Sequence, residues 1–279
     1  MQEFFVMQIC ELHNDYLTEL KDNKEIKNYL QNQKKLKVLL SPIWTTKLKD
    51  VKAFTFDKLN LIKSLNINYD IKLCFEDMGF FGSDFDFLKK VKTFYAGLVW
   101  NDDNKYAGGA YGKGNLTKKG KILVQNLENE NIYVDTAHMN ICTFNSFLSV
   151  TNKPIFCSHT GFYDIVPDKR NLTKNQIEDI VKSNGLIGLY FVGKYISKNR
   201  VQIKDVVKNI KYFVDNFGYK NLAVGSDFYG TTDLPKGIST YKDFSKIEQE
   251  LIKNGINKSQ IDAIFYKNFL NFQKNCIIN

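Results

Sequence analysis

The chain has 279 residues, 39 Lys+Arg against 30 Asp+Glu, a formal net charge of +9, and is 43% hydrophobic and 25% charged. That balance excludes an intrinsically disordered chain, and 4 Pro against 17 Gly exclude a collagen-like or low-complexity one. No run approaches the roughly 18 apolar residues of a membrane-spanning helix, and the start MQEFFVMQICELHNDY lacks a basic segment followed by a long apolar one, so a cytoplasmic protein off the membrane is expected.

Eight apolar runs alternate with stretches of helical spacing, the pattern of parallel strands joined by crossover helices. In chain order the strands are expected at 4–10, 36–44, 70–76, 94–100, 132–137, 154–159, 185–192 and 222–228. Helices are expected over 17–33, 56–66, 117–130, 202–216, 242–254 and 259–275. The clearest follows the sixth strand, where Thr173 caps LTKNQIEDIVKSNG, Gln176 stands three residues on, Ile177, Ile180 and Val181 share a face, and Asn184-Gly185 stops it. No linker or composition shift divides the chain, so residues 1–279 are expected to form a single catalytic domain, an α/β fold of the (β/α)₈ TIM-barrel type. An open doubly wound sheet is the alternative arrangement.

Five cysteines, Cys10, Cys74, Cys142, Cys157 and Cys276, are scattered and never spaced C-x-x-C, so they read as reduced, mostly buried small residues. Lysines are spread along the chain among many asparagines, which reflects composition rather than a nucleic-acid or lipid stripe. The glycine-rich stretch 101–117 fails as a phosphate loop, because Gly112-Lys113 is followed by Gly114 rather than Ser or Thr, and reads as a mobile loop over the barrel mouth.

The chain's three histidines, His13, His138 and His159, all fall at or just past the C-terminal ends of expected strands. Alone, each would be read as a structural residue; together they point to one site, because strand ends converge on a barrel mouth. His13 and Asp15 in ELHNDY leave an extended segment on the same side and could share a cation. Glu76 and Asp227 end apolar strands, where a carboxylate is costly to bury without a cation or hydrogen bonds. Three imidazoles and three carboxylates exceed the needs of one tetrahedral zinc and suggest two metals bridged by a carboxylate. Cations about 3.5–4 Å apart would polarise a carbonyl and acidify a shared water, which is hydrolytic chemistry.

The strings ELHNDY, CFEDMGFF, DTAHMN, FCSHTGF, RNLT and AVGSDFYG, in this order, resemble the marker segments of the membrane (renal) dipeptidase family of zinc metallopeptidases, from about residue 10 to 275. The resemblance implies a binuclear zinc dipeptidase. His13 and Asp15 would hold the first zinc, His138 and His159 the second, and Glu76 would bridge both. Asp227 would transfer the proton and Arg170 would grip the free C-terminal carboxylate of a dipeptide, often one ending in a D-residue. Two departures stand out: Tyr229 follows GSDF where the family commonly has Asp, and a substrate-contacting histidine after the fourth strand is replaced around Trp100 and Asn101, which makes Asn101 the expected substrate contact there. A metal-dependent hydrolase of another amide, a lactone or a phosphoester, and a non-catalytic barrel retaining its metals, are the competing readings. Other divalent metals suit the same donors, and a homodimer is left open.

Overall fold

A computed structural model describes residues 7–275. Eight strands close in sequence order into a parallel barrel: β1 (Ile9–Glu11), β2 (Leu36–Trp44), β3 (Asp70–Glu76), β4 (Tyr95–Gly97), β5 (Tyr133–Asp135), β6 (Phe156–Thr160), β7 (Leu186–Leu189) and β8 (Leu222–Val224). Closure rests on the pairing of Glu11 with Val224, which joins β1 to β8, so the doubly wound alternative is excluded. All eight expected strands are present. Residues 4–6 of the first expected strand, and Cys276, lie outside the described residues. The four described cysteines are free, three of them buried and Cys142 exposed.

Two apolar clusters divide the barrel. Alternate side chains such as Leu39, Ile43, Phe75 and Ile187 pack against the surrounding helices, while Cys10, Val38, Leu40, Cys74 and Leu186 form a second cluster with Phe269 and Phe272 of the last helix. Phe94, Tyr133 and Phe156 stand at the starts of β4, β5 and β6, and they meet Phe269 or Phe272 at ring separations of 5.0 to 5.6 Å. The last helix therefore plugs the N-terminal end of the barrel with aromatic rings. Only the C-terminal end is left for a cleft.

Capping chemistry explains where the helices depart from expectation. The expected helix 17–33 splits into Tyr16–Glu19 and Asn23–Gln31, because the Asp22 carboxylate accepts from Glu25 N and starts a new helix. The next helix, Val51–Lys63, begins five residues earlier than expected, at the first residue after Asp50, whose side chain accepts from Ala53 N. Two short helices that spacing alone did not reveal, Phe85–Lys90 and Ile141–Leu148, are capped in the same way by Asp84 and Asn140. The expected 259–275 helix is interrupted by a π-helical stretch at Ala263–Lys267.

The glycine-rich segment is more tightly held than a free flap. Asp103 accepts hydrogen bonds from the N–H groups of Gly109, Lys113 and Gly114, and Gly108 exchanges two bonds with Thr143. Tyr106, Ala107 and Ala110 are buried.

The helix Lys174–Lys182 keeps its expected capping box between Thr173 and Gln176, and it ends where Asn184 turns to φ +55° and Gly185 N donates to Ile180 O. A Cβ on Gly185 would stand 2.1 Å from the carbonyl oxygen of Ile155. Gly185→Ala is therefore expected to destabilise the protein by about 1–3 kcal/mol through overpacking against backbone, and Thr173→Ala by about 1 kcal/mol through loss of the cap. Denaturant midpoints of the two variants check this, and a neutral Gly185→Ala would contradict it.

Candidate metal centre

The rim above β1 and β8 is tied by one buried carboxylate. Glu11, fully buried at the end of β1, accepts the Ser226 N–H and hydroxyl at 2.7 Å each and the His13 N–H at 3.2 Å. Asp227 N then donates to His13 O at 3.1 Å, and Asp15 N to Phe228 O at 3.0 Å. These bonds hold the His13–Asp15 segment beside Asp227. Gly230 is required there, since a Cβ would come within 2.3 Å of both the Asp227 and the Asp15 carboxylates. Glu76 is the last residue of β3, His159 lies within β6, and His138 stands three residues past β5. His138 and Asp227 both take left-handed backbone conformations, φ +66° and +61°, which non-glycine residues adopt only at a cost of about 1–2 kcal/mol.

The side chains converge. His138 Nε2 lies 2.8 Å from Glu76 Oε1 and 3.0 Å from His159 Nε2; His13 Nε2 lies 3.4 Å from Asp15 Oδ2, 3.8 Å from Asp227 Oδ1 and 3.9 Å from Glu76 Oε1. Each imidazole is held through its other nitrogen. His138 Nδ1 meets Asn101 Oδ1 at 3.0 Å, His159 Nδ1 meets Ser158 Oγ at 2.8 Å, and His13 Nδ1 meets the Tyr95 hydroxyl at 2.9 Å. Ser158 commits its own proton to Asp135, so His159 must donate from Nδ1, as His138 must to the amide oxygen. Both Nε2 atoms therefore carry lone pairs.

Two lone pairs 3.0 Å apart, with a carboxylate oxygen 2.8 Å from one of them, repel unless a cation or proton stands among them. His13 Nε2 and Asp15 Oδ1 are buried without any hydrogen-bond partner. Burial holds the His13 imidazole down at about 4 and those of His138 and His159 well below their ordinary value, so all three are neutral, the form a metal binds. The same burial pushes Asp15 up, and burial together with repulsion from neighbouring acids pushes Glu76 up and Asp227 up to about 8. Within two of the donor groups, Glu76–His138–His159 and His13–Asp15–Asp227, the donor atoms all lie within 4.8 Å of one another. Neutral imidazoles, unpartnered donor atoms and unneutralised carboxylates fit divalent cations.

Arg170 stands at the edge of this cluster, 5% exposed, with Nη2 3.1 Å from His138 Nε2 and its guanidinium 5.7 Å from the Tyr190 ring centroid. Among the described residues no carboxylate lies within ion-pair range of it. A cleft of about 310 Å³ joins Arg170 to Glu76, His138, His159, Asp15 and Asp227. Thus the expected residues gather at one place. Asn101 also lines the cleft, and its side-chain oxygen meets His138 Nδ1, so it orients an imidazole. Four supporting residues escaped the sequence reading: Glu11, Tyr95, Asp135 and Ser158. An acid closing the run IYVD was the one signal for Asp135, and Glu11 sat unassigned within ELHNDY.

The sequence profile of the membrane dipeptidase family, peptidase family M19, matches residues 60–276. The chain belongs to this family. Among its relatives, "Dipeptidase aclJ" of Aspergillus oryzae is 25% identical over 183 residues, 63% of this chain and 43% of that protein, so the matched stretch spans less than half of that relative's length. An uncharacterized Klebsiella pneumoniae protein from the pqqA 5′ region is 26% identical over 82% of this chain and 93% of its own. A metallopeptidase from Rhodobacter sphaeroides, solved with a phosphinate mimic of the dipeptide L-Ala-D-Ala, shares the fold at a TM-score of 0.85, with 16% identity over 96% of this chain and 99% of that one.

Ser158→Ala is expected to lower divalent-metal affinity about 10–100-fold by releasing the His159 ring, read by chelator-competition titration. An unchanged affinity would remove Ser158 from the site.

Proposed function

We propose that this membrane dipeptidase family member hydrolyses dipeptides with a free C-terminal carboxylate at a pair of zinc ions. His13 and Asp15 would hold one ion, His138 and His159 the other, and Glu76 would serve both. The observation that carries the reading is the meeting, in one cleft, of Asp15, Glu76, His138 and His159 with a buried Arg170 that has no carboxylate within ion-pair range among the described residues. When bound, the cations would supply Lewis acidity, polarising the substrate carbonyl and acidifying water in the cleft.

The chain's own residues do the rest. Arg170 can donate two parallel hydrogen bonds to a terminal carboxylate, which fixes one end of the substrate and makes attack effectively intramolecular. Asp227 Oδ1, 3.8 Å from His13 Nε2, lies over the donor cluster and takes a proton from the attacking water. As the new C–O bond forms and the C–N bond breaks, that proton passes to the departing amine nitrogen. Asn101, Ser158 and Tyr95 keep the three imidazoles turned with Nε2 toward the cleft. We further propose that residues 1–279 act as one catalytic unit in the reducing cytoplasm, a setting that suits the exposed free thiol of Cys142.

Elemental analysis beside a panel of L,L and L,D dipeptides, with and without chelator, tests the reading. Near two zinc per chain and chelator-sensitive hydrolysis are expected; no turnover across the panel would defeat it. His138→Ala is expected to lose one metal per chain and nearly all activity. Arg170→Ala should lower kcat/KM for dipeptides about 100-fold or more, since each hydrogen bond to a charged group contributes about 1.5–3 kcal/mol. Full activity in Arg170→Ala would point to a substrate without a carboxylate.

A further inference from the structure

A second cavity, of about 300 Å³, adjoins the cleft, and His138 and Arg170 line both. Its outer wall comes from Asp168 and Lys169 and from Ala110, Gly112 and Lys113 of the glycine-rich segment. From that segment the Tyr111 side chain reaches across. Its hydroxyl donates to Asp168 Oδ1 at 3.0 Å and meets the Tyr195 hydroxyl at 3.0 Å. Because the Tyr111 proton is committed to a carboxylate, Tyr195 supplies the proton of the second bond.

Each anchor of this clasp belongs to a wall near Arg170. Asp168 Oδ1 also accepts the Arg170 backbone N–H at 2.8 Å. Tyr195 lines the cleft and stacks on Tyr190, whose ring lies beside the Arg170 guanidinium. The Tyr111 hydroxyl thus ties Asp168, in the wall of one cavity, to Tyr195, in the wall of the other, and Asp103 holds the segment that carries it.

We infer that Tyr111 sets the length of peptide this cleft admits, by closing it off from the second cavity at the Arg170 end. The inference rests on the dipeptidase reading of the same cleft. A dipeptide ends at Arg170. A tripeptide with its first peptide bond at the reacting groups places an amide there, and its last residue must extend about 3.3–3.6 Å further, into the space the clasp bars. With the clasp gone, the second cavity receives that residue.

The test is calorimetry on the zinc-loaded full chain with two phosphinate probes, one a dipeptide mimic and one the same mimic extended by a C-terminal residue. The parent protein should bind the shorter probe at least tenfold better. Tyr111→Ala should narrow that gap tenfold or more by binding the longer probe more tightly, and Tyr111→Phe, which keeps the ring but loses both bonds, should narrow it less. Tyr111 is 43% exposed, so its truncation leaves the core packed. A Tyr111→Ala gap within twofold of the parent's, at an unchanged melting temperature, overturns the inference, as does equal weakening of both probes. Should Tyr111→Ala not fold, an unchanged gap in Tyr111→Phe overturns it. A parent protein that binds neither probe defeats the dipeptidase reading itself, and the length filter falls with it.

Discussion

Unpaired lone pairs and negative charge, held dry and close together, are the constraint around which the rest of the structure is arranged. Glu76, Asp15 and Asp227 are acids that water would ionise readily, yet burial pushes all three up, and the neighbouring acids push Glu76 and Asp227 further. The imidazoles beside them are pushed the other way and stay neutral. His13 Nε2 and Asp15 Oδ1 are left there without a hydrogen-bond partner. A bound divalent cation would resolve the conflict, because these lone pairs could ligate it and its charge would favour the ionised acids.

Such a cluster is stable only if the frame around it resists collapse. The barrel supplies that frame by closing on itself and by packing Phe269 and Phe272 into its lower end, so that no strand edge is free to slip. Bonds local to the rim then set each ligand's direction: Glu11 joins the His13 and Asp227 segments, and Asp135 acts through Ser158 on His159. The left-handed conformations of His138 and Asp227 are part of the same cost, borne by the packing of the strands below them. On the proposed reading, the substrate end is built to the same standard, with the Arg170 backbone N–H held by Asp168 and its guanidinium beside the Tyr190 ring.

Strands were legible wherever an apolar run of suitable length was bounded by polar residues, and β2 and β3 match their expected limits residue for residue. Helix limits were less legible, because capping acids such as Asp22 and Asp50 compete with the apolar spacing and decide where a turn begins. At the site, the six donor residues were visible as polar groups at or near strand ends, whereas Arg170, ten residues past β6, was marked only by the family resemblance. Their supports were not: Tyr95 meets His13 across 82 residues of chain, and Glu11 meets Ser226 across 215. Asn101 shows the same limit, since its position was marked but its partner, His138, was not.

The order of amino acids by itself determined eight alternating strands and helices and the placing of every histidine at the upper end of a strand, because burial periodicity is a local property of the chain. Tertiary structure alone decided which nitrogen of each ring faces the other donors, which acids meet there, and that Tyr111 joins Asp168 to Tyr195. Those outcomes depend on barrel closure, which brings distant segments within hydrogen-bond reach and removes the water that would otherwise have satisfied them separately.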